Sequence, residues 1–391
     1  MPIRKSWDVL STVNAHPRDE CIEFEESNHR YRINGSDTGW SSVTTILSGF
    51  HESFDKEKAA EGLISGKRYQ EGSHPLTGKT KEEIIAFWES ENKRGTALHA
   101  RMEYGMNLKA LDKLGRGSKE SEMVDVFMFD GREVECDTET FAVTIPTEGG
   151  AGVEYLHLGY RWPDGSIRRN PHGDAELGDG EPVLDFEEAF KEARQVHLFW
   201  KRHSHLEPYR SEWVIWDNDY RIAGTIDAVF RDTRDGSFWI YDWKRVSAGL
   251  EIDLEATRYG YRPKNDEWLQ EIKPWVKKMA PPLNDMYDTK YWHYCLQLNL
   301  YKALLEKNYG ISIAGMVLVQ LHPSLRSFKC HEVVILTEQI NRLLEKRMAE
   351  LTEVVAPVET PINTSIETPS LPECQAPEVS PHQTSQEDSP V

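Results

Sequence analysis

The stretch that most constrains this chain is Gly224-Thr225-Ile226-Asp227-Ala228-Val229-Phe230, followed by Ser237-Phe238-Trp239-Ile240-Tyr241-Asp242-Trp243-Lys244. Both halves are short and rich in β-branched and aromatic residues. The polar run between them ends in Asp235-Gly236, which marks a β-hairpin. Side chains alternate faces along a strand, so Asp242 and Lys244 project to the same side. Asp227 on the neighbouring strand brings a second carboxylate. Two carboxylates with a lysine beside them can seat a hard divalent cation such as magnesium or manganese. The alternative is a surface hairpin whose Asp and Lys simply pair, and the flanking sequence bears on that choice.

The rest of the chain reads as alternating helices and strands. Residues 20–34 form an N-terminal hairpin, and Ser42 or Thr44 caps a short helix in Trp40–Leu47. Residues 55–70 and 80–107 are helical, with a fresh helical run opening at Arg94-Gly95-Thr96-Ala97-Leu98-His99. Residues 112–182 are acidic and Gly-rich and read as an inserted subdomain. Strand-like pieces there are Val124–Phe129, Thr140–Ile145 and Glu154–Leu158, with hairpin-like Asp130-Gly131 and Asp164-Gly165. A helix from Phe186 to His203 precedes the strand Ser211–Trp216, which turns at Asp217-Asn218-Asp219 into the Gly224 strand. Beyond Lys244, a helix Trp292–Tyr309 stopped by Gly310, strands Gly315–Leu321 and Lys329–Leu336, and a helix Glu338–Val354 complete the folded part. The division is therefore 1–40 as an N-terminal hairpin extension, 41–355 as the main domain with its 112–182 insertion, and 356–391 as a tail. That tail is acidic, Pro-rich and poor in bulky apolar residues, the composition of a disordered segment and a possible handle for a protein partner.

Composition narrows the class of function. No apolar run approaches the length of a membrane span. The N-terminus lacks the apolar core of a signal peptide. Cys21, Cys136, Cys295, Cys330 and Cys374 are scattered without a C-x-x-C, so an intracellular, reducing compartment (cytoplasm or nucleus) is expected. No G-x-x-x-x-G-K-[ST] loop occurs, so nothing suggests ATP use. The formal charge is −19 over 391 residues; residues 352–391 account for −7 of it, which leaves −12 for the body. That balance disfavours a polyanion unless a local basic groove or bound metal receives it.

Three further elements line up with the hairpin. His99 and Glu103 are four apart on one helical face. Glu212 precedes the hairpin on its own strand. Gln297 and Tyr301, also four apart, lie together on a polar face beside the core stripe Leu296, Leu300 and Leu304. Each alone reads equally as a packed histidine, a solvated strand residue or a helix rim.

Taken in order, Gly95-Thr96-x-x-His99-x-x-x-Glu103, Gly224-x-x-Asp227, Asp242-x-Lys244 and Gln297-x-x-x-Tyr301 resemble the RecB-type branch of the PD-(D/E)xK nuclease superfamily. That branch includes RecB-like and AddB-like nuclease domains, lambda-type exonucleases and a mitochondrial single-strand exonuclease. The resemblance covers residues 40–321 apart from 112–182. It implies an α/β fold with a restriction-endonuclease-like core, a central mixed sheet flanked by helices. It also implies a metal-dependent deoxyribonuclease, an exonuclease on single-stranded or frayed DNA in replication, repair or recombination. His99, Asp227, Asp242 and the Trp243 carbonyl would ligate Mg²⁺ or Mn²⁺. Lys244 would position and help deprotonate the attacking water or stabilise phosphate charge, and Gln297 and Tyr301 would orient the lysine or contact the DNA backbone. Glu103 and Glu212 would support the metal shell.

Some relatives hold an iron–sulfur cluster, but only Cys330 and Cys374 follow Tyr301, so none is expected here. Arg245 and the segment 258–292 interleave cations with aromatics, as a single-strand stacking groove would; Tyr259, Arg262, Lys264, Trp268, Lys273, Lys277 and Lys278 are its candidate DNA contacts. The rival readings are an inactive nuclease-fold protein that binds nucleic acid or serves as a scaffold, and a metal-independent protein with an acidic surface for protein partners.

Overall fold

From its N-terminus the chain builds helix α1 (Val9–Val13), a 3₁₀ turn (Pro17–Cys21) and the hairpin β1 (Ile22–Glu25) and β2 (Arg30–Ile33). Strand β3 (Ser41–Ser42) runs straight into α2 (Val43–Ser48), whose N-cap is Ser42; its hydroxyl accepts from the Thr45 amide. Next come α3 (Lys56–Ser65), α4 (Lys67–Gln70) and the long α5 (Lys81–Lys113). Strands β4 (Asp125–Phe129), β5 (Arg132–Glu135), β6 (His157–Arg161) and β7 (Ile167–Arg168) precede α6 (Phe186–Arg202). Then follow β8 (Leu206–Asp217), β9 (Ile222–Asp232), β10 (Phe238–Arg245), β11 (Arg262–Lys264) and β12 (Glu267–Leu269). Helix α7 (Lys290–Asn308), β13 (Ile313–Leu321), β14 (Lys329–Glu332) and α8 (Thr337–Val355) close the order. This computed structural model describes residues 8–25, 28, 30–51, 54–113, 186–246 and 277–355, together with the short strands β4–β7, β11 and β12.

The fold is α/β, with a mixed six-stranded sheet in the order β14-β13-β10-β9-β3 and β8 also paired to β9. Strand β10 runs parallel to β13 and antiparallel to β9. Strand β9 pairs with β8 along nearly its whole length, from Leu206↔Asp232 to Asp217↔Ile222. Its other edge is divided. Residues 228–231 pair with β10, whereas Ile222 and Ala223 pair with β3. Between those two partners β9 and β10 diverge, and the Asp227 carboxylate fills the gap by accepting the Trp243 amide at 2.9 Å.

Helices cover both faces. On one, Leu47 of α2, Leu296, Leu300 and Leu304 of α7 and Leu343 of α8 pack on Ile226, Ile240 and Leu318. On the other, Leu10 of α1, Leu98, Met102 and Met106 of α5 and Phe199 of α6 pack on Phe230, Trp243 and Val319. Alternation along β10 and β13 distributes neighbouring side chains to the two layers. The hairpin of β1 and β2 packs Ile22, Tyr31 and Ile33 on Trp216 and Ala223.

Several local expectations are refined. Gly66 adopts an extended ψ of 144° and splits the expected 55–70 helix into α3 and α4. At Gly95 the opposite happens: α5 runs unbroken through Arg94-Gly95-Thr96, so His99 lies within a helix and opens none. A mid-helix glycine costs about 1 kcal/mol, less than burying Leu98, Met102 and Met106 returns. Helix α5 starts at a capping box, with Glu83 N donating to Thr80 Oγ1 and Thr80 N to Glu83 Oε2. Gly310 follows the α7 C-cap at φ 65° and stops that helix as expected. Strand β14 ends at Glu332, short of the expected Leu336.

Within 112–182, β4 pairs with β5 and β6 pairs with β7, while the expected turns at Asp130-Gly131 and Asp164-Gly165 lie outside the described residues. The expected strand at Thr140–Ile145 and the tail 356–391 lie outside the described residues. Among the described residues no helix is long and apolar enough to cross a membrane.

Candidate metal centre at the sheet fork

The divergence of β9 from β10 opens a cavity of about 890 Å³, walled by α5, the β1–β2 hairpin, β8 and the end of β10. His99 and Glu212 line it, and the Asp227 carboxylate lies against them. His99 of α5 places Nδ1 3.3 Å from Asp227 Oδ2 of β9 and 3.9 Å from Glu212 Oε1 of β8. One nitrogen or oxygen from each lies within 4.8 Å of the other two, a spacing that a metal ion could bridge. Glu103, one turn beyond His99, lines the same cavity and is 4% exposed.

Glu212 reaches this cluster through a distorted backbone. Its φ is 40°, in the left-handed region that non-glycine residues seldom adopt. The preceding Ser211 hydroxyl accepts from Asn107 of α5, while Glu212 lines the cavity that α5 also walls. Regular alternation would send those neighbours to opposite faces of the sheet. The left-handed residue breaks the alternation, and backbone strain of about 1–3 kcal/mol is a common accompaniment of functional positions.

The charges explain one another. Burial pulls the His99 imidazolium down, but Asp227 and Glu212 outweigh it and hold its pKa at about 9. A proton retained this firmly reports uncompensated negative charge, the condition that favours a divalent ion in its place. Asp242 is not part of that triad. It is 2% exposed and forms an ion pair with Lys244, Nζ to Oδ2 2.7 Å. Burial is the main cause that raises Asp242 to about 6, with Asp227 pushing the same way and Lys244 pulling against both. Lys244 is itself pushed up: burial acts against its charge, and Asp242 and Asp227 overcome it.

Helix α7 supplies the other wall of this pair. Lys244 Nζ sits 4.6 Å from the Tyr294 ring, a cation–π contact. Gln297 Nε2 donates to Tyr301 Oη at 3.0 Å. The expectation of a shared polar face needs correction here, because Tyr301 is 3% exposed and packs in the core. A Cβ on Gly224 would come 2.6 Å from Tyr301 Cε1, so glycine is what lets α7 lie this close to β9. Tyr294 was missed from the sequence. Its i, i+3, i+7 relation to Gln297 and Tyr301 is the signal that would have found it.

Arg245, expected to meet DNA, is held by protein instead. Its side chain is 2% exposed and bonds Glu91 of α5 at 2.7 Å and Glu192 of α6 at 2.8 Å. An arginine with both ends of its fork so occupied anchors two helices to β10. Glu91 is pulled down to about 2, first by the His322 ring and then, against the cost of its burial, by Arg245.

The Trp243 side chain is buried against Phe199, while its amide donates to Asp227. Lys277 and Lys278 are exposed and do not line the cavity; Lys278 instead lies 5.5 Å from the Tyr287 ring. Arg262 and Lys264 of β11 pair through the backbone with β12, which carries Trp268. Tyr259 and Lys273 lie outside the described residues.

Compared with protein-family models and with curated proteins, the chain matches none.

Proposed function

We propose that this chain is a metal-dependent deoxyribonuclease of the RecB-type PD-(D/E)xK kind, built on a restriction-endonuclease-like core and acting as an exonuclease on single-stranded or frayed DNA. The observation that carries the reading is the convergence of His99, Glu212 and Asp227 beside the Asp242–Lys244 pair where β9 and β10 part. One nitrogen and two carboxylates suit Mg²⁺ or Mn²⁺. The triad as folded favours Glu212 as the third ligand, with Asp242 seated behind Lys244.

When bound, the ion supplies Lewis acidity toward a phosphoryl oxygen and an acidified water. The protein supplies the rest. Asp227 is oriented by the Trp243 amide, which donates to the same Oδ2 that faces His99. Lys244, kept protonated by two carboxylates, donates to charged phosphate oxygens rather than removing a proton. Asp242 and the Tyr294 ring hold that ammonium in place. The acidic lining repels a polyanion in the absence of metal, so DNA binding is conditional on the ion.

The test is cleavage and binding of single-stranded and blunt duplex DNA with magnesium, with calcium and with a chelator. Cleavage should require magnesium or manganese, binding should require a divalent ion, and Glu212→Gln should lose both. Wild-type cleavage in chelator, or full activity in Asp227→Asn, would sink the reading.

A further inference from the structure

A second cluster of metal-binding side chains lies outside the cavity. His51 follows α2, Asp288 precedes α7, and His293 lies in the early turns of α7. One ligand atom from each falls within 4.8 Å of the other two. His293 Nε2 and Asp288 Oδ1 are 2.7 Å apart, and the His51 and His293 rings stack at 4.1 Å with an interplanar angle of 21°. Adjacent ligands of a tetrahedral ion with bonds of about 2.0 Å stand roughly 3.3 Å apart. Closing a shell requires the stacked rings to turn so that one nitrogen of each points at a common centre.

The backbone behind these residues is firmly placed. Ala280 N donates to Phe50 O at 2.9 Å, joining the segment before α7 to the residue preceding His51. Met279 N donates to Met286 O, which closes that segment on itself. Phe50, Met279, Leu283 and Met286 are all buried in one core. All three candidate ligands are half-buried.

We propose that His51, Asp288 and His293 form a zinc site, with one position left for water. Two imidazoles and one carboxylate make a softer donor set than the His99 cluster and match zinc rather than magnesium. The ion would fasten the end of α2 to the start of α7, the helix that carries Tyr294, Gln297 and Tyr301. This inference does not depend on the nuclease reading.

Zinc titration of full-length Asp227→Ala protein by calorimetry, with cobalt absorption as a geometric readout, tests it apart from the other cluster. One equivalent should bind, cobalt should give the intense visible bands of a four-coordinate site, and saturating zinc should raise the Tm by about 5 °C. His293→Gln and Asp288→Asn in the same background should each lose the equivalent and the shift while remaining folded by circular dichroism. Absence of zinc binding in Asp227→Ala would overturn the site. So would a bound equivalent that survives His293→Gln.

Discussion

The Asp227 carboxylate accepts the Trp243 amide hydrogen at 2.9 Å at the point where β9 and β10 separate. One oxygen thus substitutes for the strand pairing that is lost there, and the same oxygen lies 3.3 Å from His99. Structure and chemistry share one side chain, and substitutions can divide them. Asp227→Asn retains an acceptor for Trp243, whereas Asp227→Ala orphans a buried amide at a cost of about 1–3 kcal/mol. Both variants should lose metal-dependent cleavage. Only Asp227→Ala should unfold at clearly lower denaturant concentration, as chemical denaturation will show.

Asp242 and Lys244 form a buried pair, with side chains 3% and 15% exposed. Removing one partner leaves the other charged and uncompensated, which typically costs ~3 kcal/mol. Asp242→Asn and Lys244→Met should each lower stability as well as activity. Asp242→Leu combined with Lys244→Met should recover most of the stability and none of the activity. Equal melting temperatures for both single variants and wild type would show that the pair contributes nothing to the fold.

Gly224 is required by Tyr301 rather than by its own backbone angles. A methyl group there meets Tyr301 Cε1 at 2.6 Å and Val43 Cγ2 at 3.0 Å, both in packed core. Gly224→Ala should destabilise by ~2 kcal/mol through overpacking. Tyr301→Phe keeps Cε1 and should give no relief, whereas Tyr301→Leu should relieve part of the cost. Thermal melts of the single and double variants measure the coupling.

Glu91 gives the fold an acid-sensitive clamp. Its pKa is about 2 in the folded chain against an ordinary 4.5. A carboxylate held low contributes stability above the ordinary value and loses it as pH falls toward the folded one. Glu91→Gln should therefore cost ~2 kcal/mol at pH 7, half-burial discounting the full shift. The gap between variant and wild type should close between pH 4.5 and pH 2. A gap that stays constant across that window would mean that Glu91 acts through packing and not through charge.

The strands and their chemistry were legible in the sequence wherever local periodicity carries the information. Asp235-Gly236 marks the β9–β10 turn, with Gly236 at φ 78°. Alternation puts Asp242 and Lys244 on one side of β10, and i, i+4 spacing puts His99 and Glu103 on one face of α5, because backbone geometry alone sets those relations. Helix ends marked by Ser42 and Gly310 follow from unpaired backbone groups and positive φ. What needed the tertiary structure involves residues far apart in the chain or a backbone that breaks its own pattern. Helix α5 passes through Gly95 because long-range burial outweighs local propensity. The sequence names Glu212 as a support for the metal shell, but only the fold gives it a left-handed φ and sets it against His99 and Asp227. Arg245 resembles a free cation in the sequence, yet two acidic residues from distant helices enclose it. Likewise, His51 meets Asp288 and His293 only because the core around Phe50 brings the end of α2 against the start of α7. In each case the deciding energy is burial between non-adjacent segments, a quantity that no local pattern encodes.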